Sequence, residues 1–184
     1  MHRRIPLPLV LVGAIVVGAG ALPPAVGAQG TDLTLLGYHA VAPAAWVAQT
    51  PSSRFRLAQF AVPGPDSAND AEVVVYFFGP HEGGTPEANM ARWREQFSTA
   101  DRPPVRESVR RDSSGAFPIT IAEYEGTYRR GVGMGSADSV RAHQALVAAI
   151  AETPRGTLFL QLFGPDSVVA KAHDGFVAFV TAMR

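Results

Sequence analysis

The polar and apolar positions of this chain fall into two periods, and the order in which they alternate outlines the fold. The segment "EVVVYFF" (72–78) is a continuous apolar run of strand formers, which predicts a central strand covered on both faces. "RLAQFAVPG" (56–64) predicts a strand stopped by Pro63 and Gly64, and "LLGYHAVAP" (35–43) a first strand closed by Pro43. "AAWVAQ" around Trp46 fits a strand or a turn. "PITIAEYEGTY" (118–128) mixes strand formers with charges, as in a half-exposed strand. "PGPDSAND" (63–70) is turn chemistry.

Two segments carry the helical period. "TPEANMARWREQF" (85–97) offers Thr85 as a cap and Pro86 at the first helical position, with Met90, Trp93 and Phe97 on one face. Asn89 and Gln96 lie along an edge of that face, with Arg92 just beyond. "DSVVAKAHDGFVAFVTAM" (166–183) places Val169, Ala172, Phe176, Phe179, Val180 and Met183 on one stripe, with His173 at its margin.

Residues 140–151 support two readings. On propensity "SADSVRAHQALVAAIAE" is an Ala-rich helix. Its unbroken apolar run from Ala145 to Ala151 equally fits a buried strand, and the turn "TPRG" followed by "TLFLQLF" favours a β-hairpin. An internal echo links Phe78-Gly79-Pro80 to Phe163-Gly164-Pro165. In both, an aromatic is expected to end a strand, the Gly to allow an unusual backbone angle, and the Pro to stop the ladder before a helix. Two helices packed on a mostly antiparallel sheet make an α+β sandwich.

The first residues follow a different pattern. "MHRR" is basic, "IPLPLVLVGAIVVGAGAL" is apolar, and "PPAVGA" supplies small residues. That order predicts a signal peptide, 1–28, cleaved after Ala28, with an exported product that is periplasmic or extracellular and not inserted in a membrane. Residues 29–184 then form one globular domain, of which 29–33 are expected to be a loose tail.

Composition narrows the function. The chain of 184 residues has 47% hydrophobic and 17% charged residues and a formal net charge of +0. Neither nucleic acid nor an anionic membrane surface is implied as a partner. The absence of Cys removes disulfides, thiolate catalysis and zinc–cysteine sites.

Recognisable catalytic motifs are missing. "HEGGT" has no second His for a zinc-protease helix, "GVGMGS" (131–136) lacks the last glycine of the dinucleotide fingerprint, and no Walker loop or nucleophile elbow occurs. "DSANDAE" (66–72) lacks the spacing and central Gly of a calcium loop. No catalytic residue, metal ligand or cofactor is assigned. The candidate ligand or partner site comprises His81 and Glu82, on the Gly-rich loop "GPHEGG" (79–84), with Asn89 and Arg92 on the following helix. The Asn89/Arg92/Gln96 edge supports two readings, a polar groove beside Trp93 or, structurally, amides that tie the helix to neighbouring backbone.

The succession of signal peptide, "APAAW", strand pair, "YFFGP…GGTPEANMARWREQF", further strands, terminal hairpin and a C-terminal helix ending "FVTAMR" resembles secreted bacterial proteins of the Mog1/PsbP-like superfamily. The resemblance covers nearly all of the mature chain. It implies an α/β/α sandwich around an antiparallel sheet, and a role in binding: that superfamily is mostly known for partners, a small GTPase in one branch and a photosynthetic complex in another. No functional residue of either branch maps onto this sequence. The expected function is a non-enzymatic binding module of the cell envelope, with an envelope or secreted protein as partner. The alternatives are a small-ligand or metal-binding protein using the 79–84 and 131–138 loops, and an unrecognised hydrolase.

Overall fold

A computed structural model of the chain describes residues 30–98, 103–113, 115–129 and 140–184. The signal segment, its cleavage point and the 131–138 loop lie outside these described residues.

Seven strands form one antiparallel sheet in the order β3-β4-β5-β9-β8-β7-β6. They are β3 (Val47–Gln49), β4 (Arg56–Val62), β5 (Ala71–Tyr76), β6 (Arg106–Asp112), β7 (Ile119–Arg129), β8 (Val140–Thr153) and β9 (Gly156–Pro165). A separate hairpin pairs β1 (Thr31–Leu35) with β2 (Tyr38–Ala42). Helix α1 (Pro86–Phe97) packs on one face of the sheet and α2 (Asp166–Thr181) on the other. This is the expected α/β/α sandwich.

The period of two decides which side chain serves which face. Val73 and Val75 of β5, and Leu158, Leu160 and Leu162 of β9, point into the core beneath α2. Leu146, Ala148 and Ile150 of β8 and Phe159 of β9 point into the core beneath α1. The α2 core is much the larger, because the β1–β2 hairpin and Trp46 close it beside the helix. Trp46 sits in the turn before β3, edge-on to Phe179 at 5.5 Å. The C-terminal backbone then bonds to β2, with His39 N–H donating to Arg184 O at 2.7 Å.

Four expectations need correction. Residues 31–33 are not part of a loose tail, since they form β1 and pair with Ala40–Ala42. The segment 35–43 is not one strand: Leu36 and Gly37, both at positive φ (50° and 81°), form a two-residue turn between β1 and β2. Such turns match strand twist but normally use Asn or Gly, so the Leu concealed this one. Strand β7 is mostly buried, lying between β6 and β8, and the exposed edge position belongs to β6, "RESVRRD", which has no apolar alternation to announce it. The Phe-Gly-Pro echo also fails as a shared turn. Gly79 has φ +123° in a loop beyond β5, whereas Gly164 and Pro165 are still paired with Ala145 and Gln144. Gly164 is required for space instead: a Cβ there would lie 2.6 Å from that of Ala71.

The two readings of 140–151 resolve to strand, a fourteen-residue β8 joined to β9 by Pro154 and Arg155. Thr153 Oγ1 closes that turn, donating to Gly156 O at 2.7 Å and accepting from Arg155 N–H at 3.1 Å.

Candidate functional site

The loop "GPHEGG" and the start of α1 are tied together by Asn89. Thr85 caps the helix, its Oγ1 accepting from Ala88 N–H at 3.2 Å. Asn89, only 2% exposed, donates from Nδ2 to Gly83 O at 2.8 Å and to Thr85 O at 3.0 Å. Its Oδ1 accepts from Arg92 Nη2 at 2.5 Å. One buried amide thus satisfies two loop carbonyls and orients the guanidinium one turn along the helix. The structural reading of Asn89 applies, with a consequence for Arg92.

His81 and Glu82 are exposed and do not join these residues. Among the described residues neither side chain makes a hydrogen bond. His81 sits at φ +62° and Glu82 N–H donates to Gly79 O at 3.3 Å, so both belong to a tight turn that faces solvent. Of the four predicted residues, the structure brings together Asn89 and Arg92.

What it brings them to is a cleft of about 620 Å³ between α1 and the sheet. The cleft follows from dimensions. Seven strands span roughly 30 Å and one helix is about 10–12 Å across. Helix α1 lies toward the β7 side, so the β4–β5 part of this face is left without a helix. Arg92, Trp93 and Gln96 form the helical wall; Val74 and Tyr76 of β5, with Phe159, Gln161 and Phe163 of β9, form the floor. Tyr128 and Arg141 close one end, and Phe78 the other, edge-on to Phe159 at 5.7 Å and stacked on Tyr76 at 5.9 Å.

Charge along the rim is unequal. Glu72 accepts from Arg56 Nη1 at 2.9 Å and from Gln59 Nε2 at 2.7 Å, so Arg56 is neutralised within the fold. Its guanidinium also lies 5.4 Å from the Tyr76 ring centroid. Burial holds the Tyr76 phenol above its ordinary pKa, against the opposing pull of Arg56 and with smaller additions from Glu72 and Tyr128. Tyr76 therefore stays neutral at physiological pH. Arg92 and Arg141 have no carboxylate partner among the described residues. Gln161 and Gln96, half-buried, make no side-chain hydrogen bond among them either.

A smaller cavity of about 260 Å³ opens under α2 at β7, lined by Glu123, Glu125, Asp166 and His173 among others. His173 Nε2 lies 3.2 Å from Glu123 Oε1, and Nδ1 lies 2.9 Å from Asp174 Oδ1. Among the described residues no group of three or more His, Asp or Glu is arranged to hold a metal ion. In "DSANDAE", Asp66 is a cap: its Oδ1 accepts from Ala68 N–H at 3.0 Å and from Asn69 Nδ2 at 2.9 Å.

Sequence reasoning missed Arg56, Glu72, Tyr76, Gln161 and Arg141. Only Gln161 left a trace, a lone amide inside the apolar run "TLFLQLF". The others converge through strand register, which pairs Arg56 with Tyr76 and Val74 with Gln161.

No protein-family model matches the chain, and no curated protein matches it. Among solved structures it is similar to the solution structure of cyanobacterial PsbP (CyanoP) from Synechocystis sp. PCC 6803. That match has a TM-score of 0.51 at 12% identity and covers 90% of this chain and 98% of the other. The fold is PsbP-like. Among the described residues no helix is long and apolar enough to cross a membrane.

Proposed function

We propose that this PsbP-like chain is an exported, non-enzymatic binding module of the cell envelope that receives its ligand in the cleft beside α1. The observation that carries this reading is the cleft itself. Its volume falls in the range of small-molecule sites, and aromatic and aliphatic side chains share its lining about equally with polar and charged ones. The alternative in which the 79–84 loop holds the ligand has less support, since His81 and Glu82 face away into solvent. The exported setting rests on the basic, apolar and small-residue order of positions 1–28.

Two measurements test this. Material recovered from the exporting cell should have the intact mass of a chain beginning at Gln29. On that material the neutral dye N-phenyl-1-naphthylamine should bind saturably with a fluorescence rise. Gln161→Trp, which fills the floor, should remove that binding while leaving the thermal midpoint close to that of the parent. A parent protein that fails to bind the dye, or a Gln161→Trp variant that binds it unchanged, would set the cleft aside as the site.

A further inference from the structure

The cleft also carries a preference, and the argument for it rests on the reading just given. We infer that it selects an organic anion with a flat apolar body, the anionic group taken by Arg92 and Arg141.

The body follows from the floor and walls. Tyr76, Tyr128 and Phe163 are half-buried and Phe78 is exposed, so the cleft presents their rings, and Tyr76 and Phe78 stack with an interplanar angle of 5° at one end. Aromatic surfaces so placed favour a flat apolar group lying against them. An inorganic anion would have to shed its water against these surfaces for no return.

The charge follows from the rim. Of the three arginines that line the cleft among the described residues, Arg56 is taken by Glu72, the only carboxylate among those lining residues. Arg92 and Arg141 remain, both exposed. Arg92 is held by a neutral acceptor, Asn89 Oδ1, which fixes its position without cancelling its charge. A guanidinium can donate two parallel hydrogen bonds to two oxygens of one anionic group, so a carboxylate or sulfonate is the expected group. Gln96 and Gln161 add neutral amides between rim and floor, which would suit a polar substituent on the body.

The test compares two dyes of nearly the same body, 8-anilinonaphthalene-1-sulfonate and the uncharged N-phenyl-1-naphthylamine. On the parent chain the sulfonate should bind more tightly. In Arg92→Gln with Arg141→Gln the sulfonate should weaken by about tenfold or more, as expected for loss of charge-assisted pairing, and the neutral dye should stay within about twofold. Arg92→Lys with Arg141→Lys should recover much of the sulfonate affinity, because it restores charge without the fork. Thermal midpoints serve as the control for folding. Equal affinity of both dyes for the parent, or an unchanged sulfonate affinity in the glutamine variant, overturns the anion preference and leaves the cleft as a neutral binding site. Loss of both dyes together in that variant also overturns it, since the arginines would then be shaping the cleft and not reading charge. Failure of the neutral dye on the parent removes the cleft reading itself and this inference with it.

Discussion

A Cβ built on Gly83 would lie 2.5 Å from Phe159 Cε2 and 2.9 Å from Phe78 Cδ2, and the residue has φ +93°. Two independent costs therefore attach to any side chain there, the left-handed backbone and the collision with two rings that shape the cleft. Gly83→Ala should lower the unfolding free energy by about 2–4 kcal/mol, read from denaturant midpoints at constant slope. His81→Asn combined with Glu82→Gln, at exposed positions and with an Asn that tolerates positive φ, should change it by no more than about 0.5 kcal/mol. A double variant as damaging as Gly83→Ala would mean that the loop is held by its charged residues after all. The same contrast shows what was legible at this scale. The glycines and the cap at Thr85 could be read from "GGTPE", because turn and cap chemistry are local. That Asn89 carries Arg92 could not be read so far, because it depends on a rotamer.

At the scale of elements, the segments with strong periodicity were legible and the ones without it were not. Helix α2 was readable from its stripe, all of which lies in or against the larger core. Strand β6 was not, because an edge strand gains nothing from alternation and is protected by charge: Arg94 Nε reaches Glu107 at 2.8 Å and Arg111 Nη2 reaches Glu152 at 3.1 Å. One contact between elements is expected to report on pH. His173 on α2 has its pKa raised above the ordinary value, first by its hydrogen bond to Asp174 and also by Glu123 on β7, with burial opposing both. Asp174 is fully exposed, so solvent screens it and the link to Glu123 is the one that joins helix to sheet. Glu125, paired with Arg106 at 3.6 Å, and Asp166 complete the charged surroundings. A folded-state pKa above the unfolded one means that the contribution is fully present below about pH 6.5 and is lost as pH rises through the folded value. Denaturant midpoints should therefore fall between about pH 6 and about pH 8, and His173→Gln should flatten that dependence. A parent midpoint that rises across the same interval would contradict the assignment.

For the whole molecule, the sandwich was legible, but of the cleft only its helical edge beside Trp93 was, for one reason. Fold class depends on which residues are apolar, a property each position carries alone. The cleft depends on which positions stand beside one another across β4, β5 and β9, and on a helix too narrow to cover them. The two faces of the sheet differ accordingly, and aromatic truncation should expose the difference. Phe176 is 0% exposed and enclosed under α2, 6.4 Å from the Trp46 ring. Trp93 is 2% exposed, but its indole forms a wall of the cleft, where water can enter the space left by truncation. Both Phe176→Ala and Trp93→Ala should cost about 3–5 kcal/mol, Phe176 toward the upper end and Trp93 toward the lower, because a cavity that can be refilled costs less than an empty one. Each variant should unfold in a single transition seen alike by fluorescence and circular dichroism, since both helices share one sheet and neither core can dissolve without the other. The reverse order of costs would mean that Trp93 is sealed from the cleft. Two separated transitions in either variant would mean that the α1 face melts as a unit of its own.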